Sequence, residues 1–214
     1  MKLFLLSGLG ADSRVFDFLD LPGIELKPVE WLMPLPKERI SDYAGRLSEA
    51  LKPYEPVNLL GVSFGGIIAQ EMATHLDTRK VFIISSIKSS AEVGLAFHIT
   101  KRLGILRLIS PKKMKQSMMK MGPWLFGLEK GSEVKLFRNI TTDTNEEFLK
   151  WAVCQLHGWK TSSSNLDVIH IHGIKDKMFP INKIKNFIPI EDGGHFMIVN
   201  RAEEISKIIL EKIK

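Results

Sequence analysis

The sequence predicts an α/β fold: a mostly parallel six-stranded sheet with helices on both faces and a helical segment inserted after the fourth strand. Three observations predict it. Short apolar runs of strand length alternate with segments of helical period up to residue 87 and again after residue 160, which is the pattern of a parallel sheet covered on both faces. Several of those runs end in Gly-rich turns, Ser7-Gly8-Leu9-Gly10 being the first. From about Lys88 to Lys160 no strand is convincing, and that stretch is rich in Met, Trp and Lys.

The elements follow in order. Lys2–Leu6 is a strand running into the tight turn at Gly8-Leu9-Gly10. Arg14–Leu19 is a short helix candidate that Asp12 or Ser13 can cap. Ile24–Val29, after Pro22-Gly23, is the second strand. Ser41–Leu51 carries apolar residues at 44, 47, 50 and 51, a helical spacing, with Ser41 as cap and Pro53 and Pro56 as terminators. Val57–Leu60 is the third strand, and Gly65 or Gly66 opens a helix to about His75. Val81–Ser85, Val168–Ile171 and Asn186–Ile190 are the remaining strands, and Ala202–Ile213 is a closing amphipathic helix. The division is therefore a core of residues 1–87 and 161–214 with a helical lid or cap at 88–160.

The chain has 214 residues, 44% apolar and 25% charged, which suits a packed core. Its net charge is +6, and the excess is local. Lys88–Lys160 holds thirteen Lys/Arg and six Asp/Glu, a balance of +7; the remainder holds seventeen and eighteen, a balance of −1. That basicity suits a solvated face, or attraction of an anionic substrate or acidic surface. The single cysteine, Cys154, excludes an internal disulfide, and a reducing, cytoplasmic setting is expected. Met1–Ala11 lacks a small-x-small cleavage site and reads as a buried strand, and no apolar stretch is long enough to span a bilayer.

Chemistry concentrates at the strand ends. Gly61-Val62-Ser63-Phe64-Gly65 follows an apolar strand and precedes a helix. A sharp turn there raises Ser63 Oγ clear of the sheet, and the small flanking residues let helix and strand approach. A serine hydroxyl needs a base at neutral pH. His195, after Asp192-Gly193-Gly194 and between the last strand and the closing helix, is placed to be that base. Asp176, past the strand ending His170-Ile171-His172, is placed to orient it. Asp167 precedes its strand, at the opposite edge, and Asp192 is close to His195 along the chain. For a developing oxyanion, the backbone N–H groups of Phe64 and Leu9 are the candidates.

At these residues the chain resembles the α/β-hydrolase family, specifically its small lid-bearing carboxylesterase-like members. The resemblance rests on Leu6-Ser7-Gly8-Leu9-Gly10, Gly61-Val62-Ser63-Phe64-Gly65-Gly66, His172-Gly173-Ile174-Lys175-Asp176 and Gly194-His195-Phe196, and covers nearly all of the chain outside the insertion. Many members carry His-Gly where this chain has Ser7-Gly8, and the first strand here corresponds to the one usually third. The resemblance implies a serine hydrolase acting on an ester or thioester of a small or medium acyl substrate, with no cofactor and no metal. Such a substrate, in anionic form where the basic segment faces it, is the expected partner; no nucleic acid is expected. Phe97, Met118, Trp124, Phe126, Trp151 and Trp159 are candidates for an apolar acyl pocket, and equally for the insertion's own core.

Other readings compete. A non-catalytic ligand-binding protein can use the same scaffold. Gly8-Leu9-Gly10-Ala11-Asp12-Ser13, with Glu30 near the end of the next strand, is similar to the fingerprint of a nicotinamide-dependent oxidoreductase. His170 and His172 share one strand face, as a metal pair does, without an evident third ligand.

Overall fold

A computed structural model describes residues 1–93, 104–159 and 166–214. Six strands form one sheet: β1 Lys2–Leu6, β2 Glu25–Pro28, β3 Val57–Val62, β4 Thr78–Ile84, β5 Val168–Gly173 and β6 Ile188–Ile190. Their spatial order is β2-β1-β3-β4-β5-β6, and every pairing is parallel. All six carboxyl ends therefore lie along one edge, where an open parallel sheet holds its site.

Alternation along each strand splits the core in two. Phe4, Leu6, Leu59, Val81 and Ile83 face a layer built on α1 (Ile40–Glu49) and α2 (Phe64–Met72). Leu3, Leu5, Leu60, Phe82, Ile84 and Ile171 face the other layer, closed by the terminal helix through Ile205 and Ile209. Each such fully buried aliphatic side chain stabilises the fold by about 1.5–3 kcal/mol before entropy is counted.

Between β4 and β5 the described residues form a 3-10 turn, Ser90–Glu92, and four α-helices: α3 Ile105–Leu108, α4 Pro111–Leu125, α5 Gly131–Asp143 and α6 Glu146–Gly158. After β6 come α7, Met197–Asn200, and α8, Ala202–Lys212. Ser110 caps α4 by accepting from the Lys113 N–H, and Asn145 caps α6 through the Glu147 and Phe148 N–H groups. Among the described residues no helix is long and apolar enough to cross a membrane.

Several local expectations need correction. Helix α1 begins at Ile40 with Arg39 as its N-cap, so Ser41 lies inside the helix; Ile40 is drawn in because its side chain is buried in the α1–α2 core. The segment expected as a helix from Arg14 is a single 3-10 turn, Ser13–Phe16, and Asp12 caps it through the Arg14 N–H. The sixth strand is shorter than expected because its pairing with β5 begins at Ile188.

Candidate active site

Ser63 stands between β3 and α2 with φ 53° and ψ −118°, a conformation most side chains avoid. Its surroundings hold it there. Its N–H donates to the Ile84 carbonyl at 2.8 Å, and its carbonyl accepts from the Ser86 hydroxyl at 2.7 Å and from the Gly66 N–H at 3.0 Å. A Cβ on Gly61 would drive into the Gly65 carbonyl, and one on Gly65 into the Leu6 and Ser7 carbonyls. The glycines are thus required by the approach of helix to strand.

His195 Nε2 lies 2.9 Å from Ser63 Oγ, and His195 Nδ1 lies 2.8 Å from Asp176 Oδ2. A carboxylate only accepts, so the proton on the neutral ring sits on Nδ1, and Nε2 is free to accept the serine O–H. Asp176 Oδ1 accepts two backbone bonds, from Met178 N–H at 2.8 Å and Phe179 N–H at 2.9 Å. The carboxylate is buried and fully engaged. Gly173 and Gly193 bring the two loops together: a Cβ on Gly173 would meet the Gly193 carbonyl, and the Lys175 N–H donates to that carbonyl at 2.9 Å. Phe126 and Phe179 flank the imidazole with centroids at 5.0 Å and 5.5 Å. Asp192, by contrast, pairs with Lys175 at the surface, 2.7 Å away.

The Gly8-Leu9-Gly10 loop comes close to the serine, since a Cβ on Gly8 would sit 3.3 Å from Ser63 Cβ. Ser7 fixes the loop: its hydroxyl donates to the Ala11 carbonyl at 3.0 Å and accepts from Trp31 Nε1–H at 2.9 Å. The Phe64 N–H is the first of α2, one of the donors that a helix leaves without an internal acceptor. The insertion closes over this loop. Met118 packs against Gly10, and Thr141 Oγ1 donates to the Gly10 carbonyl at 3.4 Å. A cavity of about 30 Å³ remains beside Ser63 and His195, lined by Val62, Phe126, Phe137, Phe196 and Ile198 among others.

The expected pocket residues separate. Phe126 lines the cavity, and Met118 packs against Gly10 of the Gly8–Gly10 loop. Trp124 does not belong there: it lies on the outer face of α4, 65% exposed, with Lys177 Nζ 4.6 Å from its ring centroid. Trp151 joins an aromatic cluster with Tyr43, Phe64 and Phe148 and donates to the Glu38 carbonyl at 2.9 Å. Trp159 is buried with its indole N–H on Glu71 Oε1 at 2.7 Å. Phe97 lies outside the described residues. Sequence reasoning did not single out Phe137 or Phe179; Phe196 entered only through the motif around His195, and His172 only through the motif before Asp176 and as a possible metal ligand. Phe179 and Phe196 were signalled by adjacency to Asp176 and His195; no local signal marks Phe137.

His170 and His172 hydrogen-bond each other, Nε2 to Nδ1 at 3.1 Å, and His172 Nε2 meets the Phe179 carbonyl at 2.8 Å. Burial, reinforced by His172 and Lys88, pulls the His170 pKa down to about 3, and burial also lowers that of His172. The Gly8–Gly10 loop leads into the 3-10 turn at Ser13, with Asp12 engaged by Arg14, in place of the long helix whose amino end a dinucleotide fingerprint requires.

This chain has the α/β-hydrolase fold. It superimposes over its whole length on an esterase from Exiguobacterium antarcticum, TM-score 0.77, with 17% identity and 91% of that chain covered. It is similar over its whole length to a thermophilic esterase from Thermogutta terrifontis, solved with malate bound, TM-score 0.71, with 15% identity and 89% of that chain covered. An enol-lactonase from Burkholderia xenovorans LB400 matches 98% of this chain and 90% of its own, TM-score 0.73, at 12% identity. No protein-family model and no curated protein sequence matches the chain.

Proposed function

We propose that the protein is a serine hydrolase that cleaves an ester or thioester of a small or medium acyl substrate. The observation that carries this reading is the continuous hydrogen-bonded line from Ser63 Oγ through His195 to Asp176, with the serine held at positive φ on a strand-to-helix turn. Neighbours of the same fold named as esterases and an enol-lactonase agree with it.

In this reading Ser63 Oγ attacks the acyl carbonyl carbon while His195 Nε2 takes the hydroxyl proton, and Asp176 stabilises the imidazolium. The Leu9 and Phe64 N–H groups receive the oxyanion. Collapse of the tetrahedral intermediate expels the alcohol or thiol, which takes the proton from His195. Water, deprotonated by His195, then attacks the acyl-serine; the bond to Ser63 Oγ breaks, Oγ takes the proton back from His195, and the acid is released. The described part of the insertion, residues 104–159, acts as a lid that limits the size of the acyl group.

A fluorophosphonate probe and p-nitrophenyl butyrate test the reading. Wild-type protein should label on Ser63 and release a burst of p-nitrophenol; Ser63→Ala should do neither while keeping its circular dichroism spectrum. Absence of labelling on the wild type, or hydrolysis by the variant at the wild-type rate, would overturn it and favour a non-catalytic binding protein.

A further inference from the structure

The outer face of α4 combines two properties seldom found together on a solvated helix. The chain has no Asp or Glu from residue 93 to residue 128, a stretch with seven Lys/Arg. On α4 itself Lys112, Lys113, Lys120, Met121 and Trp124 are all exposed. At 100° per residue they fall within one half of the helix surface, with Lys113, Lys120 and Trp124 close to its centre line. Gly122, on the opposite side, and Met114, just beyond the edge of this face next to Met121, are buried. Trp124 is 65% exposed, Met121 55%, and Leu108, four residues before Lys112, 86%. Lys177 adds a further cation beside the Trp124 ring. A shallow groove along the edge of this face is lined by Lys112, Lys120 and Arg138, with Glu146 the acid bordering it.

We infer that this face is a docking surface for an anionic lipid bilayer. The cations match the headgroup charge. Trp, Met and Leu side chains spaced among lysines on a convex helix match the boundary between headgroups and acyl chains, where Trp resides at headgroup depth. A protein partner would instead call for a continuous apolar patch depleted of lysine. The surface is separate from Ser63: the same helix turns Met118 toward the Gly10 loop and lays Phe126 on His195, so a bound bilayer lies about one helix diameter, ~10 Å, from the serine. The inference does not depend on the chemistry at Ser63.

Vesicle co-sedimentation tests it. Equimolar phosphatidylcholine and phosphatidylglycerol vesicles should pellet the protein at roughly 0.01 M salt, and phosphatidylcholine alone should not. Binding should weaken about tenfold or more at roughly 0.1 M, as the Debye length falls from about 30 Å to about 10 Å. Trp emission should shift to the blue on binding, and Trp124→Phe should remove most of that shift. The variant Lys112→Glu/Lys113→Glu/Lys120→Glu should lose sedimentation, and Leu108→Ser/Met121→Ser/Trp124→Ser should lose it at least tenfold. All substituted side chains are exposed, and thermal melting checks that the variants are folded. Ser63→Ala should sediment like wild type, which separates this inference from the hydrolase reading. Equal binding to neutral and anionic vesicles would overturn it, as would variants that bind like wild type. Capture by poly-glutamate as tight as by vesicles, with no emission shift, would overturn it in favour of an acidic protein partner. A dimer by light scattering that the Leu108/Met121/Trp124 variant dissociates, with no vesicle binding, would overturn it in favour of a second copy.

Discussion

His172 Nε2 lies 3.7 Å from Asp176 Oδ2, the oxygen that accepts from His195, while it donates to the Phe179 carbonyl at 2.8 Å. The Phe179 N–H in turn donates to the other Asp176 oxygen. His172 therefore holds the far end of the turn that aims the carboxylate. The Phe179 carbonyl only accepts, so Nε2 of His172 carries the proton and its Nδ1 accepts from His170. His172→Leu should lower kcat about tenfold to a hundredfold through a misplaced carboxylate, with KM little changed. His172→Gln, whose amide can still reach the Phe179 carbonyl, should recover most of the loss in steady-state kinetics.

Asp176→Asn should cost about 10³–10⁴ in kcat, because an amide favours the wrong tautomer of His195. Asp192→Asn should leave kcat unchanged, since Asp192 is an exposed partner of Lys175. Esterase kinetics on the two variants decide; a larger loss for Asp192→Asn would reverse the assignment.

Stability should fall as pH falls below about 6.5. His170 remains neutral in the folded protein until about pH 3, whereas in the unfolded chain it takes up a proton near its ordinary value of 6.5. Between those values the unfolded state binds more protons, so acid favours unfolding, and the stabilising contribution is complete only above about pH 6.5. His170→Gln keeps a donor for His172 Nδ1 and does not titrate. Its melting temperature should decline less steeply across that window, with a residual slope from His172, whose pKa burial also lowers.

The backbone at Ser63 carries strain that glycine does not feel. Ser63→Gly should be more stable than Ser63→Ala by about 1 kcal/mol, read as a melting temperature about 2–4 °C higher. Equal melting temperatures for the two variants would show that the surrounding hydrogen bonds relax around alanine.

Phe137 is buried, packs edge-on to Phe126 with centroids 5.4 Å apart, and walls the small cavity beside Ser63. Phe137→Leu should raise kcat/KM for hexanoyl esters relative to acetyl esters by about tenfold, the order expected when a pocket gains room for a methylene or two. An unchanged chain-length profile would place the acyl group elsewhere.

The parts of the site that could be read from the sequence are those fixed by backbone sterics. Gly61, Gly65 and Gly66 stand where no Cβ fits, and such positions leave a signature independent of the rest of the fold. The same holds for Gly173 and Gly193, which let the loops carrying Asp176 and His195 meet. What could not be read depends on which way a side chain turns. Trp124 and Phe126 are two residues apart and both aromatic, yet one faces solvent and the other lies on His195. That difference arises from the packing of α4 on α5 and on the His195 loop, contacts distant in sequence. Phe137 was hidden for the same reason: its ring is seated against Gly122, on another helix.

The Phe196 N–H donates to the Phe126 carbonyl at 2.9 Å, and Gly127 touches Gly194. The end of α4 is thereby stitched by main chain to the residues on either side of His195. An outward movement of α4 would have to break that hydrogen bond, which lies one residue from His195. The seat of α4 and the position of the His195 ring are thus set by one contact, so a substitution that displaces either element should be felt by the other.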